Sequence, residues 1–276
     1  DLKKGKICYD NKYAKPEAAG LDVNHLALNA LAIRVDSFFY SPERLTMGIS
    51  KFSFREKCGF CLSDMSCRVL MDTARLNIPS LSIVTPASRM QAKLAMDLNA
   101  FADTLPGSLS ANLNARLGFA DLAALLPYMK PYVSRMPYAF IDVKGEMKGN
   151  MQKAHVPVFS LQIPGAMTAR ADGWLQNLTD IDRLKGHMAF AVRTQQIDAI
   201  RRVLPAETAA SFRLPSGMAL DGKVAFDGAR YNVKALLREG GGNAMVAVSL
   251  NTRNMAYDAK INAHRLQLGH FLPGMG

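Results

Sequence analysis

The chain has 276 residues, of which 49% are hydrophobic and 21% are charged. This composition excludes an intrinsically disordered chain, and no apolar run reaches the roughly 18 residues that a membrane-spanning helix needs. The formal net charge of +11 favours an anionic partner. The basic residues are dispersed, however, and aromatic residues do not alternate with arginine at stacking spacing, so nucleic acid is not expected as a partner.

Most of the chain alternates apolar and polar residues with a period of two, which predicts β-strands with one apolar face. Turn signals separate the alternating runs, among them Pro-Gly at 106–107 and 164–165, Asp-Gly at 221–222 and 227–228, and three glycines at 240–242. We therefore predict about 18 strands in antiparallel sheet. Successive apolar sets early in the chain are Leu26, Leu28 and Ala30; Leu31, Ile33 and Val35; and Leu45, Met47 and Ile49.

Three segments break this period and predict short amphipathic helices at residues 118–127, 194–205 and 265–273. Each ends in Leu-Pro, and proline excludes the helical conformation of the residue before it. The segments mark approximate repeat ends at Pro127, Pro205 and Pro273. Side chains predicted to share one inward helical face are Phe119, Leu122 and Leu126 in the first segment, and Ile197, Ile200 and Leu204 in the second.

After the first two prolines comes a strand pattern with a central glycine, at residues 141–147 and 218–224. Such long units with shared landmarks indicate a stacked or elongated β array. The chain begins at Asp1 without methionine and stops at Gly276, and we interpret it as one continuous repetitive region, 1–276, of a longer protein.

Two stretches carry a family resemblance. Residues 51–57 read KFSFREK, and residues 76–86 read LNIPSLSIVTP. Together with the intervening strands and the Leu-Pro segments, they make the chain similar to the TamB family of the AsmA-like superfamily, in the form found in Bacteroides-type bacteria. That family shows a strand of the type KDFSFKEKSGF, followed by strands that end in T-P-x-S.

The resemblance implies an all-β fold, an elongated and curled antiparallel trough of the β-taco type with an apolar interior. It implies a periplasmic protein tethered to the inner membrane by an N-terminal helix and meeting an outer-membrane β-barrel partner through a C-terminal region. It further implies conduction of phospholipid between the membranes or, alternatively, a scaffold for assembly of outer-membrane barrels or autotransporters. Residues expected to line the apolar groove are Ile141, Val143, Met147, Phe159, Leu161, Ile163, Val224 and Phe226.

Three of the four cysteines cluster as KCGFCLSDMSC at residues 57–67. The flanking alternation predicts a hairpin here and not the helix N-terminus that activates a redox CxxC pair. Cys58, Cys61 and Cys67 supply three thiolates, and only the distant Cys8 or His25 would complete a zinc site. Because the family reads KSGF here, we favour incidental cysteines; a disulfide in an oxidising periplasm and a metal or redox site remain the alternatives.

No phosphate loop, nucleophile elbow or HExxH motif is present, and the five histidines are scattered. We therefore predict no catalytic residues, no metal ligands and no cofactor, and expect a binding protein and not an enzyme.

Overall fold

The computed structural model describes residues 1–17, 20–102, 104–126, 130, 139–195 and 217–266. These residues form fifteen strands that hydrogen-bond in chain order, β1 to β15, in one sheet. Every strand pair with a described register is antiparallel. The predicted all-β, antiparallel class is thus confirmed, because period-two alternation can bury one face only in extended chain.

The strands up to the first helix are β1 (Leu2–Asp10), β2 (His25–Ser41), β3 (Arg44–Glu56), β4 (Cys61–Asp72), β5 (Arg75–Val84), β6 (Arg89–Asp97) and β7 (Leu109–Gly118). Helix α1 (Phe119–Leu125) follows. The later strands are β8 (Phe140–Gly149), β9 (Lys153–Ile163), β10 (Met167–Gln176), β11 (Lys185–Thr194), β12 (Ala219–Asp227), β13 (Arg230–Glu239), β14 (Gly242–Asn251) and β15 (Ala256–His264), with a 3-10 turn at Ile181–Arg183 between β10 and β11.

The chain divides into two compact units. Unit 1 comprises Asp1–Asn99 and Ala111–Val143, and unit 2 comprises Ala100–Ser110 and Lys144–Gly276. The predicted repeat ends at Pro127, Pro205 and Pro273 lie outside the described residues, and so do Ile197, Ile200 and Leu204 of the second predicted helix. Thr194, the first residue predicted for that helix, instead ends strand β11. Of the third predicted helix, only residues 265 and 266 are described.

A single long strand, β2, contains the apolar set that begins at Leu26 and the set that begins at Leu31. The two sets have opposite parity. Between them, Ala30 takes a positive φ of 52°, and the register to β3 shifts between Asn29 and Ala32. This is a β-bulge, and it moves the following side chains to the other face without ending the strand. The described residues form fifteen strands, whereas about 18 were predicted for the whole chain.

Helix α1 packs in unit 1 through a narrower face than predicted. Phe119 is 5% exposed and Ala123 is 7% exposed, so the inward stripe follows the i, i+4 spacing of these two residues. Leu122 is half-buried. The inward placement of Leu126 is wrong: the residue is 39% exposed. It caps the helix in an extended conformation, φ −122° and ψ 91°, and therefore leaves the helical face.

Few apolar side chains are fully buried, and those of unit 2 are mostly small and near strand ends. Ala154, Ala166 and Ala244 are 0%, 0% and 1% exposed. Among the described residues, no large side chain is less than 2% exposed. The strands of unit 2 therefore do not enclose a thick core of the kind found between two packed sheets.

Candidate functional site

The predicted groove residues fall on one side of their strands. Phe159, Leu161 and Ile163 alternate along β9, and Val224 and Phe226 alternate along β12. On β8, Gly145 faces Phe159, since a Cβ built on this glycine would lie 3.8 Å from the Phe159 ring. Met147 is two residues further along β8 with the same parity, whereas Ile141 and Val143 lie on the part of β8 that belongs to unit 1. Alternate residues of a strand share a face.

In unit 2, the registers join this side into an apolar face, defined here by four cross-strand rows from β9 to β15. Residues directly opposite each other in a ladder lie on the same face of the sheet. The rows are Leu161–Ala169–Val192–Leu220–Leu237–Ala244–Ala263, Phe159–Ala171–Phe190–Gly222–Ala235–Val246–Ile261, Val156–Gly173–Met188–Val224–Val233–Val248–Ala259 and Ala154–Leu175–Gly186–Phe226–Tyr231–Leu250–Tyr257. Every position is apolar, glycine or tyrosine.

A bulge in β9 keeps these rows aligned. The register to β10 shifts between the Phe159 and Val156 pairs, at the position of Pro157. Proline has no N–H to donate to a ladder, and within sheets it occurs at such irregularities. Because β9 has one more residue than β10 at this shift, Val156 lies on the same side as Phe159. Val156 is 9% exposed there, whereas Val158 is 46% exposed.

Two glycines inside strands make room for aromatic rings on the apolar face. A Cβ on Gly222 would lie 2.6 Å from Cζ of Phe190, and a Cβ on Gly186 would lie 2.6 Å from Cζ of Phe226. The ring of Phe226 also stacks on Tyr231, with centroids 5.9 Å apart. The prediction of a turn at Asp-Gly 221–222 is therefore wrong: this glycine lies within β12 because the neighbouring ring occupies the space of its missing side chain.

The apolar face is only partly shielded from solvent. Phe190, Val224 and Val233 in its middle are half-buried, and Phe159 on β9 is 40% exposed. Exposure rises on the last strand, where Tyr257 is 77% and Ile261 is 63% exposed. Contiguous apolar surface of this kind is rare on soluble proteins unless it binds something.

The opposite side of β11–β15, the charged face, is held by cross-strand ion pairs. The carboxylate of Asp221 accepts from Arg193 at 2.6 Å and from Arg238 at 2.9 Å. The hydrogen bond from Arg193 is the main cause that lowers the pKa of Asp221. Lys185 lies 3.1 Å from Asp227 on the same face. Alternation thus gives unit 2 one apolar and one charged side.

Unit 1 carries an apolar face of its own. Phe52 pairs with Met65, which pairs with Ile83, and Cys67 lies opposite both Ile49 and Leu81. Burial raises the pKa of the Cys67 thiol, so it behaves as a small apolar side chain and not as a reactive thiolate.

The CxxC sequence lies across the β3–β4 hairpin, as predicted. Gly59 occupies the turn with φ +98°, and Cys61 begins β4 opposite Arg55. The carboxylate of Glu56, 4% exposed, accepts the N–H of Cys58 at 2.5 Å and the N–H of Ala27 at 3.1 Å. Burial and the contact with this carboxylate raise the pKa of the Cys58 thiol. All four cysteines are free thiols in the structure.

Sequence reasoning missed a polar cluster that holds α1 in unit 1. Asp121 lies in the first turn of α1, and its carboxylate accepts the hydroxyl hydrogens of Thr85 and Ser88. The Ser88 hydroxyl in turn accepts the N–H of Gly118 at 2.9 Å. The T-P-x-S sequence at 85–88 was the available signal, because it places two hydroxyls on one tight turn.

Within the described residues, no three His, Cys, Asp or Glu side chains come together as a metal site. In the same part of the chain, no helix has both the length and the apolar character to cross a bilayer. Comparison of the chain with protein-family models, curated proteins and solved structures found no match. The chemistry of the two faces of the sheet is therefore the ground on which a function is assigned.

Proposed function

We propose that the chain binds lipid acyl chains on its apolar face and lets them move along it, as one segment of a phospholipid conduit between the inner and outer membranes. The observation that carries this proposal is the set of four apolar cross-strand rows in unit 2, which extend over seven strands. The rows are mostly half-buried from β9 to β14 and exposed on β15. Phospholipid is the partner whose chemistry fits such a surface, because acyl chains need no hydrogen bonds.

The energetics of the apolar face suit movement as well as binding. Each CH₂ group removed from water contributes about 0.8 kcal/mol. That contribution depends little on which apolar side chain covers the group, because the hydrophobic effect is not directional. An acyl chain that advances by one strand therefore exchanges equivalent contacts.

Site-specific photocrosslinking tests the proposal directly. p-Benzoylphenylalanine is placed at Phe159 on the apolar face and, as the matched control, at Gln162, which is exposed three residues further along the same strand. The purified variants are irradiated with phosphatidylethanolamine vesicles and examined by mass spectrometry. We expect a phospholipid adduct at position 159 and none at 162. Equal adducts at both positions, or none at 159, contradict the proposal.

The cellular setting proposed for this conduit follows the resemblance to the TamB family. There the chain is a segment of a trough-shaped, β-taco-like periplasmic protein, tethered to the inner membrane and working with an outer-membrane β-barrel partner. Fractionation of Bacteroides-type cells with an antibody against the chain tests this setting, since recovery in the cytoplasmic fraction would exclude it.

A second candidate function, a scaffold for assembly of outer-membrane β-barrels, is favoured by β15. All nine residues of this strand are exposed, and within the described residues it pairs only with β14. A strand with unpaired backbone groups can accept a further strand by β-augmentation. Protection of β15 amides from hydrogen exchange by an unfolded barrel, but not by lipid, would select this function.

A further inference from the structure

A hollow of about 1030 Å³ lies on the charged face of unit 2, on the side of the sheet away from the apolar face. Its middle is unexpectedly apolar for this side. The side chains that form the floor are Ala189, Ala225, Leu236, Met245 and Ala247. Met245 is 64% exposed, so the floor is open to a ligand.

Three lysines cross the hollow in one row. Lys223 on β12 lies directly opposite Lys234 on β13. Lys234 lies opposite Ala247 on β14, and Ala247 lies opposite Lys260 on β15. The three lysines come from β12, β13 and β15 and lie on the same side of the sheet, because directly paired residues share a face.

No carboxylate that lines the hollow is free to balance this row. Among the described residues that line the hollow, Asp221 supplies the one carboxylate, and both of its oxygens are already bound by Arg193 and Arg238. None of the three lysines forms an ion pair with a described residue. The hollow therefore carries an excess of positive charge.

The row is unfavourable for folding by itself. Like charges directly opposite each other in a ladder destabilise a sheet, and the nearby carboxylate of Asp221 is already held by Arg193 and Arg238. Such an arrangement is understandable when an anion binds between the ammonium groups.

From this geometry we propose that the hollow, bounded by Lys223, Lys234 and Lys260, binds a single anionic amphiphile. The lysines hold its phosphate or carboxylate group, and Leu236 and Met245 contact its apolar part. The volume matches the upper end of the range for ligand pockets, roughly 300–1,000 Å³. This site is on the other side of the sheet from the acyl-chain face and does not depend on the conduit proposal.

The apolar floor distinguishes an amphiphile from other anions. A free inorganic anion gains nothing from Leu236 and Met245, and a flat membrane surface does not enter a concave hollow. Charge attraction at an exposed site weakens with salt, whereas apolar contact does not. An amphiphile should therefore bind with an affinity that salt reduces but does not abolish.

Titration calorimetry of the purified chain with dodecyl phosphate below its micelle concentration tests the proposal. Inorganic phosphate and dodecyl maltoside serve as the anion-only and chain-only probes. Lys223→Gln should weaken dodecyl phosphate binding roughly tenfold, as loss of one charge-assisted contact does. Lys234→Glu should weaken it further while the thermal midpoint stays the same or rises, since Glu would pair with Lys223. Lys144→Gln, an exposed lysine of β8 outside the hollow, is the control.

The outcomes separate this site from the apolar face. If Lys234→Glu and Lys144→Gln bind dodecyl phosphate equally well, the ligand sits elsewhere and the proposal is wrong. If inorganic phosphate binds with the same affinity as dodecyl phosphate, the apolar floor has no role in binding. If the Met245→Glu variant and the unsubstituted chain bind phosphatidylglycerol vesicles equally well, the lysines contact a membrane surface and not a single amphiphile in the hollow. The loss of dodecyl phosphate affinity caused by Lys234→Glu should be the same in a Leu161→Glu background, because chain binding on the apolar face does not use the lysines.

Discussion

Leu161→Glu separates an open apolar face from a closed core. Leu161 lies on β9 opposite Ala169 and is half-buried. Complete burial of a leucine side chain contributes about 1.5–3 kcal/mol, so removal of a half-buried one should cost about 1–1.5 kcal/mol. On an open face, water reaches the new carboxylate. In a closed core, an unpaired charge would add a further penalty of several kcal/mol, enough to unfold a chain of ordinary stability.

Gln162→Glu is the matched control, because the residue adjoins Leu161, is exposed and should change the stability by less than about 0.5 kcal/mol. Urea denaturation followed by circular dichroism gives the free energy of unfolding of both variants. Extraction of a fluorescent phosphatidylethanolamine from vesicles measures lipid binding. We expect Leu161→Glu to fold and to lose most lipid extraction, while Gln162→Glu keeps it.

Two results would refute this reasoning in different ways. A Leu161→Glu protein that does not fold, beside a stable Gln162→Glu protein, means that the face is covered by a closed core. A folded Leu161→Glu protein that extracts lipid as the unsubstituted chain does removes the apolar face from the lipid pathway.

Three further variants and one pH dependence test the local structure. The Cys58→Ser, Cys61→Ser double variant should fold and bind lipid like the unsubstituted chain, since serine still donates to Glu56; a metal lost with the cysteines, detected by elemental analysis, would contradict this. Gly222→Val should lower the free energy of unfolding by about 1–3 kcal/mol through overpacking against the neighbouring ring, measured in urea. Asp121→Ala should cost about 1–3 kcal/mol because two hydroxyls lose their acceptor; an unchanged thermal midpoint would show that the cluster does not hold the helix. Burial tends to raise the pKa of Glu56, but hydrogen bonds from Cys58 and Ala27 outweigh it and lower the pKa below its ordinary value of 4.5. The stabilisation is therefore present above about pH 4.5 and is lost as the pH falls through the folded-state pKa, and Glu56→Gln should flatten the acid limb of the stability profile.

The sequence was sufficient to predict the strands, since a side chain in extended chain can reach only two faces. It was not sufficient where a tertiary contact overrides a local signal. Asp-Gly at 221–222 has the chemistry of a turn, yet Phe190 lies over the glycine and keeps it in β12. Leu126 has the spacing of a helical face, yet the helix ends one residue earlier.

The lysine row was missed because its members are 11 and 26 residues apart and look dispersed along the chain. The loops of the hairpins between β12 and β15 nevertheless determine that the three lysines share one row. Arg230 pairs with Asp227 across the two residues 228–229, and Glu239 pairs with Gly242 across residues 240–241. A two-residue hairpin loop fixes the register of everything beyond it.

Lys223 is four residues before Asp227, and Lys234 is four residues after Arg230. The pairing of Asp227 with Arg230 therefore places the two lysines opposite each other. Lys234 is five residues before Glu239, and Ala247 is five residues after Gly242, so the second hairpin pairs Lys234 with Ala247. The loop at 252–255 then brings Lys260 opposite Ala247. A slip of one residue in the register of β12, β13 or β15 would move that strand's lysine to the apolar side of the sheet. The positive φ values of Gly228 and Gly240, 52° and 54°, thus determine both where the strands turn and where positive charge accumulates.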